Sequence, residues 1–201
     1  MYRIRSPYRP IASLTVLTFF AVPASYASEI LFAAVSYNDT VYDVSFRVRL
    51  DANANDVRRV VTDYANLAQL SPTIIKSRVS SRDGRMTVKL LLRPCVWVVF
   101  CKNLRKVSVV YEDGSEIVYH ADPSVSDFLE ARERLLVEDD STRPSSTLLT
   151  YRARLIPKFV VPPLIGPWLI KRQIMRDLRI TSGRVEFLAA PVGHDPAAGL
   201  Q

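Results

Sequence analysis

Few side chains in this sequence have both the chemistry and the neighbours that catalysis requires. There are two histidines, His120 close to a turn and His194 in a C-terminal stretch without periodicity. A serine–histidine–aspartate relay would need His120, and the residues around it suggest none. Asp63 and Asp127 could each place a carboxylate in a cavity; alternatively, the first ends a helix and the second caps a turn. The spacing of His, Cys, Asp and Glu matches no metal site, and we predict no catalytic residue, metal or cofactor.

Two cysteines, Cys95 and Cys101, are the other residues with distinctive chemistry. In a chain that begins like an export signal, a single cysteine pair favours a disulfide. Six steps of extended strand cover about 20 Å, whereas bridged Cα atoms lie within about 7 Å of each other. A bridge therefore requires a chain reversal, which Pro94 and a new strand beyond Cys101 make plausible. The alternative is two buried thiols on one face of a continuous strand.

The elements around these residues begin with a predicted export signal over residues 1–27. Three arginines but no acidic residue precede an apolar run over 11–22. This run has twelve residues, fewer than the roughly 20 that a membrane-spanning helix needs. Small residues favour cleavage after Ala27, and the protein is then expected to be exported to the periplasm. The alternative is an uncleaved anchor.

The remaining chain is long enough for one domain with a sizeable core. Without the three signal arginines it holds 24 basic and 20 acidic residues, a mild net charge of +4. Such a balance suits a protein near anionic lipid as well as an ordinary soluble domain. We predict a single domain over residues 28–188 and a disordered tail over 189–201, where the sequence has no hydrophobic periodicity.

Alternating residues from Thr40 to Leu50 predict a half-buried first strand. After it, Asn53 is placed to cap a helix with Asp56 in its first turn, and Tyr64–Leu70 predicts a second short helix. Further alternating segments, separated by turn signals such as Asp83-Gly84, predict about six more antiparallel strands. A sheet of this kind must cover its apolar face with another layer.

One long helix is predicted at the end, from Pro167 to about Leu188. The segment before it, over 157–167, contains four prolines and a glycine among large apolar residues. Prolines cannot join a central ladder, so the sheet should stop there. The segment is either a stiff connector, or a lid or membrane-touching rim at the mouth of a cavity. The predicted apolar face of the helix comprises Trp168, Met175, Leu178, Val185 and Leu188, beside Ile170 and Ile174.

This α+β order resembles the START-like, or SRPBCC, helix-grip fold: a curved antiparallel sheet of about seven strands, wrapped on a long C-terminal helix, with two short helices after the first strand. The sequence is most similar to the coenzyme-Q-binding and polyketide-cyclase-like branch. "VRRVVTDYANLAQLSPTI" at 57–74 carries the resemblance, which extends over about Tyr42 to Leu188. "ADPSVSDF" at 121–128 and "LIPKFVVPPLIGP" at 155–167 look like marks of an exported bacterial subset.

The resemblance implies a deep apolar cavity between the sheet and the last helix. We therefore predict a periplasmic binding or carrier protein for a hydrophobic small molecule, such as a quinone, an isoprenoid or another lipid. The alternative is a cyclase- or hydrolase-like enzyme acting on a hydrophobic or polycyclic substrate. Two inward carboxylates or a histidine would favour the enzyme, and an all-apolar lining would favour carriage. The predicted ligand-binding residues are Phe46, Leu90, Val109, Tyr111, Tyr119, Tyr151, Phe159, Leu164, Ile165, Trp168, Met175 and Leu178.

Trp168 is predicted to contact the ligand or to close its entrance, because it stands where the last strand is followed by the helix. Peripheral contact with membrane lipid is a further expectation for this region. The basic residues of the helix could meet lipid head groups or form a solvated face, and they lack the density of a nucleic-acid patch. Some proteins of this fold associate with ribosomes or RNA, but an export signal argues against that role here. We predict no nucleic acid and no metal among the partners.

Overall fold

The computed structural model describes residues 28–96, 100–159 and 166–190. The predicted signal over 1–27 and most of the predicted tail lie outside these residues, so both remain predictions. The described part contains ten strands, two α-helices and one short 3-10 helix. The strands are β1 (Glu29–Asn38), β2 (Val41–Leu50), β3 (Ile74–Arg82), β4 (Arg85–Leu92), β5 (Cys95–Val96), β6 (Phe100–Cys101), β7 (Leu104–Asp113), β8 (Glu116–Ala121), β9 (Phe128–Asp139) and β10 (Thr147–Pro157).

Eight strands form one antiparallel sheet in the order β1-β2-β10-β9-β8-β7-β4-β3, and β5 pairs with β6 as a separate ribbon. The sheet has one more strand than predicted, because β1 shows little of the alternation by which a strand is predicted. Exposed and half-buried residues dominate β1, and a bulge between Ile30 and Phe32 breaks its alternation. The two predicted short helices therefore follow the second strand rather than the first.

Three helical elements complete the fold: α1 (Ala54–Val61), a 3-10 helix (Leu67–Gln69) and α2 (Gly166–Ala189). The predicted cap of α1 is confirmed, because the Asn53 side chain accepts a hydrogen bond of 3.0 Å from the Asp56 N–H. The second predicted helix is only the single 3-10 turn. Both α-helices lie on the inner face of the sheet, where α1 packs against α2.

The predicted Cys95–Cys101 disulfide is confirmed. The two residues face each other across the β5–β6 ribbon, with their Cα atoms 4.0 Å apart. The chain thus makes the reversal that the bridge requires. In the chain-entropy model, closing so short a loop contributes about 2–3 kcal/mol.

The core lies between the inner face of the sheet and the two α-helices. The predicted alternation of β2 is confirmed, because Tyr42, Val44, Phe46, Val48 and Leu50 are all buried. Val57, Val60 and Val61 cover part of this face from α1, and Val185 and Ala189 cover another part from α2. The helices thus bury one end of the sheet and leave its middle for a cavity.

One buried acidic group in this core has no partner of opposite charge. Glu186 of α2 is fully buried, and neither carboxylate oxygen has a hydrogen-bond partner in the described part of the chain. Burial, together with the charge of Asp51, raises the pKa of the Glu186 carboxyl above its ordinary value of 4.5, against a smaller opposing effect of the nearby Asp51 backbone N–H, which does not reach hydrogen-bond geometry. The folded protein therefore holds this proton more tightly than the unfolded chain does.

Glu186→Gln is expected to raise the free energy of unfolding by about 1–3 kcal/mol near pH 8, because it removes an unpaired buried charge. At low pH the Glu186 carboxyl of the wild type is protonated and carries no buried charge. The wild type should therefore become less stable as pH rises from about 4.5 through the raised pKa, and the difference in free energy of unfolding between the variant and the wild type should shrink on acidification. Urea unfolding across this pH range measures both effects. Glu138→Gln at an exposed position is the control. Parallel pH profiles for the wild type and Glu186→Gln would contradict the expectation.

Candidate ligand cavity

A cavity of about 300 Å³ lies between the inner face of the sheet and α2. The 3-10 helix and the segment leading into β3 form part of its wall. Its volume falls at the lower end of the range usual for small-molecule sites. Aliphatic side chains and one phenylalanine form most of the lining: Val44, Phe46, Val61, Leu67, Leu70, Ile74, Leu90, Leu92, Leu135, Leu149, Leu155, Ile174, Leu178 and Val185.

A buried ion pair interrupts this apolar lining. Lys106 of β7 donates a hydrogen bond to the carboxylate of Glu133 on β9, and the residues are only 8% and 7% exposed. Glu133 lies directly opposite Tyr119 of β8, so the lysine reaches across the intervening strand. The ammonium and the carboxylate neutralise each other. Removing either side chain would leave the other charge buried without a partner in a site of low polarity.

Two tyrosines complete this polar end of the cavity. Burial and the neighbouring Glu133 charge raise the pKa of both the Tyr119 and the Tyr151 phenols above the ordinary value. Both therefore remain protonated at neutral pH and keep a hydroxyl that can donate or accept a hydrogen bond. The Lys106 ammonium also lies 5.9 Å from the centre of the Tyr119 ring. We call Lys106, Glu133, Tyr119 and Tyr151 the polar cluster.

A second carboxylate reaches the cavity from α2. Asp177 accepts a hydrogen bond from the Thr73 hydroxyl and one of 2.8 Å from the Gln173 amide. Burial raises the pKa of the Asp177 carboxyl, against the opposing effect of these hydrogen bonds. The contact with Thr73 ties α2 to the segment before β3, across one edge of the cavity.

Five of the predicted ligand-binding residues line the cavity: Phe46, Leu90, Tyr119, Tyr151 and Leu178. They come from β2, β4, β8, β10 and α2, so the sheet and the helix both contribute. Whether they bind a ligand remains a prediction. Leu164 and Ile165 lie outside the described residues.

Val109 and Tyr111 do not line the cavity, because β7 presents its other face inward. Leu104, Lys106 and Val110 are buried, whereas Tyr111 is 53% exposed and packs against His120 on the outer face. The sequence has apolar residues on both faces of this strand, which left its orientation ambiguous. The inward face contains the polar residues Lys106 and Ser108, which are unusual in an apolar cavity, so the sequence pattern did not indicate it.

The three remaining predicted residues also lie away from the cavity lining. Trp168 is 59% exposed, with the Arg172 guanidinium 5.8 Å from its ring centre. Phe159 packs beside Leu104 and Phe128, and the Lys102 ammonium lies 4.1 Å from its ring centre. Met175 packs near Val35, Val44 and Ala153.

The helix face differs from the prediction in part, because polar residues share its inner side with Ile174, Leu178 and Val185. Asp177 and Thr181 line the cavity beside Leu178, and Ser182 and Glu186 are buried. The apolar Trp168 and Leu188 are exposed instead. The predicted stripe is therefore correct from Ile174 to Val185, whereas its two ends, Trp168 and Leu188, lie on the exposed side.

The acidic residues weighed from the sequence have structural contacts instead. Asp127 accepts a hydrogen bond of 2.6 Å from the Arg105 N–H, and Asp63 accepts from the Asn66 side chain. The carboxylates that reach the cavity, Glu133 and Asp177, were missed. Among the described residues, no group of His, Cys, Asp or Glu could hold a metal ion. No helix in the same part of the chain has the length and apolar character needed to cross a membrane.

No protein-family model matches the chain, and no curated protein matches it either. Several solved structures are similar. A START superfamily protein from Mycobacterium smegmatis has a TM-score of 0.59 at 23% identity, covering 73% of this chain and 98% of that one. The Zhui aromatase/cyclase from Streptomyces sp. R1128 has a TM-score of 0.58 at 14% identity, covering 74% and 93%.

A STAR-related lipid transfer protein from Xanthomonas axonopodis has a TM-score of 0.53 at 15% identity, covering 76% of this chain and 98% of that one. At these identities the similarity establishes the fold and not the ligand or the reaction. The predicted START-like helix-grip fold is thereby confirmed. The cavity described above occupies the space between sheet and terminal helix that this fold encloses.

Proposed function

The chain has the START-like helix-grip fold, and from that premise we propose that it is a periplasmic binding or carrier protein for a hydrophobic small molecule. A quinone, an isoprenoid or another lipid held in the cavity is the proposed cargo. The observation that carries the proposal is the apolar lining of a 300 Å³ space between the sheet and α2. Apolar walls of this kind remove hydrophobic surface from water without selecting a reaction. The lipid transfer protein of similar fold supports the same proposal.

The polar cluster narrows the proposed class of cargo. It gives the cavity one polar end, where the Lys106 ammonium and two protonated phenols can face a ligand oxygen. A molecule with an apolar body and a single hydroxyl or carbonyl group would match both parts of the lining. A pure hydrocarbon would leave the hydrogen-bonding groups of this end without a ligand partner.

An enzyme is the second candidate, and the two inward carboxylates favour it. Glu133 lies beside the Tyr151 phenol, so an acid and a hydroxyl meet in one cavity. Zhui, of similar fold, is an aromatase/cyclase. Both carboxylates already have partners, however, since Lys106 pairs with Glu133 and Thr73 donates to Asp177. This arrangement favours carriage over proton transfer.

Analysis of protein recovered from the periplasm tests the proposal. Solvent extraction followed by mass spectrometry should recover a hydrophobic molecule in a fixed ratio to protein, and intact mass should show a chain starting at Ser28. Farnesol should then bind about 10-fold more tightly than farnesene, which lacks its hydroxyl, as one hydrogen bond implies. Repeated recovery of no hydrophobic molecule, with no binding to either probe, would refute carriage. Conversion of an extracted molecule by the purified protein would favour the enzyme.

Peripheral contact with membrane lipid forms part of the same proposal, because an exported carrier must collect and deliver its cargo at a bilayer. The proposed export to the periplasm depends on the predicted signal over residues 1–27. An intact chain found in the membrane fraction would indicate an uncleaved anchor instead.

A further inference from the structure

The solvent face of α2 carries a single row of residues that the cavity does not use. Steps of three or four residues place them on one side of the helix. The row runs for about 28 Å at the usual helical rise. We call it the outer row, and it comprises Trp168, Arg172, Arg176, Arg179, Gly183 and Phe187.

The outer row is cationic, and the described residues offer its arginines no ion-pair partner. Lys171 adds a further cation beside it, and none of its arginines makes an ion pair within the described residues. The two acidic residues of α2 are turned away, since Asp177 bonds to Thr73 and Glu186 is fully buried. Within the described residues, the positive charge of this face is thus available to a partner.

Some arginines elsewhere on the surface are paired. On the outer face of the sheet, Arg132 pairs with Glu130, Arg134 with Glu116, and Arg154 with Asp43. Those guanidinium groups have partners at 3.3–3.5 Å. Arg47 and Arg152 on the same face make no ion pair among the described residues, so unpaired arginine alone does not set α2 apart. The feature particular to α2 is that its unpaired arginines stand in one row with exposed aromatic rings at both ends.

Exposed aromatic rings stand at both ends of the outer row. Trp168 is 59% exposed and Phe187 is 69% exposed. The three arginines of the row lie between the two rings, and the Arg172 guanidinium lies over the Trp168 ring. Tryptophan beside arginine is typical of the interface between lipid head groups and acyl chains. Cations alone would suit an acidic protein or a nucleic acid, but apolar rings about 28 Å apart suit a flat surface with an oily interior.

We propose that the outer row docks the protein on a bilayer containing anionic phospholipid. The arginines meet head-group phosphates, and Trp168 and Phe187 enter the boundary with the acyl chains. The helix would lie parallel to the membrane with the cavity directly behind it. This inference names the surface and the lipid for the membrane contact in the proposed function, but the docking itself requires no cargo.

Cosedimentation with cargo-free vesicles tests the docking. The protein should bind vesicles that contain phosphatidylglycerol, and should bind phosphatidylcholine vesicles weakly. Replacing Arg172, Arg176 and Arg179 together with Gln should weaken binding by about 100-fold, because each cation near an anionic surface contributes about 1 kcal/mol. Added salt should reduce wild-type binding more than it reduces that of the variant.

Arg132, Arg134 and Arg154, replaced together with Gln, are the matched control, because this variant loses the same charge from the sheet. It should keep wild-type affinity for the vesicles. Trp168→Ala should weaken binding by about 10-fold while urea unfolding shows little change, because the ring is mostly exposed. This second variant separates docking from a general effect of charge.

The inference would be overturned by no preference for phosphatidylglycerol, by an equal loss in the sheet control, or by outer-row-dependent binding to RNA without binding to vesicles. A protein that binds farnesol but not vesicles would overturn the docking and leave carriage intact. A protein that binds vesicles through the outer row but carries no hydrophobic molecule would refute carriage alone.

Discussion

Lys106→Met alone is expected to lower the free energy of unfolding by about 3–5 kcal/mol, because it leaves the Glu133 carboxylate buried without its partner. Glu133→Leu alone should have an effect of similar size on the buried ammonium. Urea unfolding at neutral pH measures both. Such losses are a large part of the stability of an ordinary domain.

The double variant Lys106→Met/Glu133→Leu should recover most of this loss. Both charges are then absent, and apolar groups of similar size replace the pair. The two changes should therefore be strongly non-additive in a double-mutant cycle. Additive losses would show that the ion pair is not the source of the effect.

The same double variant separates the two candidate functions. A carrier should still retain a hydrophobic molecule, with less preference for farnesol over farnesene. An enzyme that depends on Glu133 should lose turnover completely. Unchanged preference for farnesol would contradict a role for the polar cluster in ligand selection.

Leu178→Trp is expected to weaken ligand binding by about 10- to 100-fold. Leu178 projects from α2 into the cavity, where an indole would occupy space that the ligand needs. Forcing an extra large side chain into a filled space costs about 1–3 kcal/mol, and a cost of this size in the complex corresponds to the expected 10- to 100-fold loss of ligand affinity. Equilibrium binding of farnesol provides the measurement.

Leu129→Trp is the matched control, because Leu129 is 59% exposed and does not line the cavity. The same substitution there should leave binding unchanged. Urea unfolding should show that the Leu178→Trp variant is folded before its binding is compared. If Leu178→Trp binds farnesol as well as the parent protein does, the cavity is not the ligand site.

The sequence alone determined the order of the main elements from β2 onward and several local structures. Asn53 caps α1 as predicted, because a short amide side chain can reach the N–H groups of the first turn. Asp83 and Gly84 both have positive φ angles, as an Asp-Gly hairpin turn requires. The alternation of β2 identified its inner face, since one side of that strand is apolar and the other polar. Local rules sufficed wherever a few neighbouring residues decide the structure.

The tertiary structure alone decided which side chains meet in the cavity. Lys106 and Glu133 are far apart in the chain and meet only because β8 lies between β7 and β9. Apolar residues on both faces of β7 left its orientation open, so Val109 and Tyr111 were placed inward and Lys106 was overlooked. Packing likewise decided which residues at the ends of α2 are covered, because it buried Glu186 and exposed Trp168. A periodic pattern gives the spacing of a face, but only contact with another element determines which face is covered.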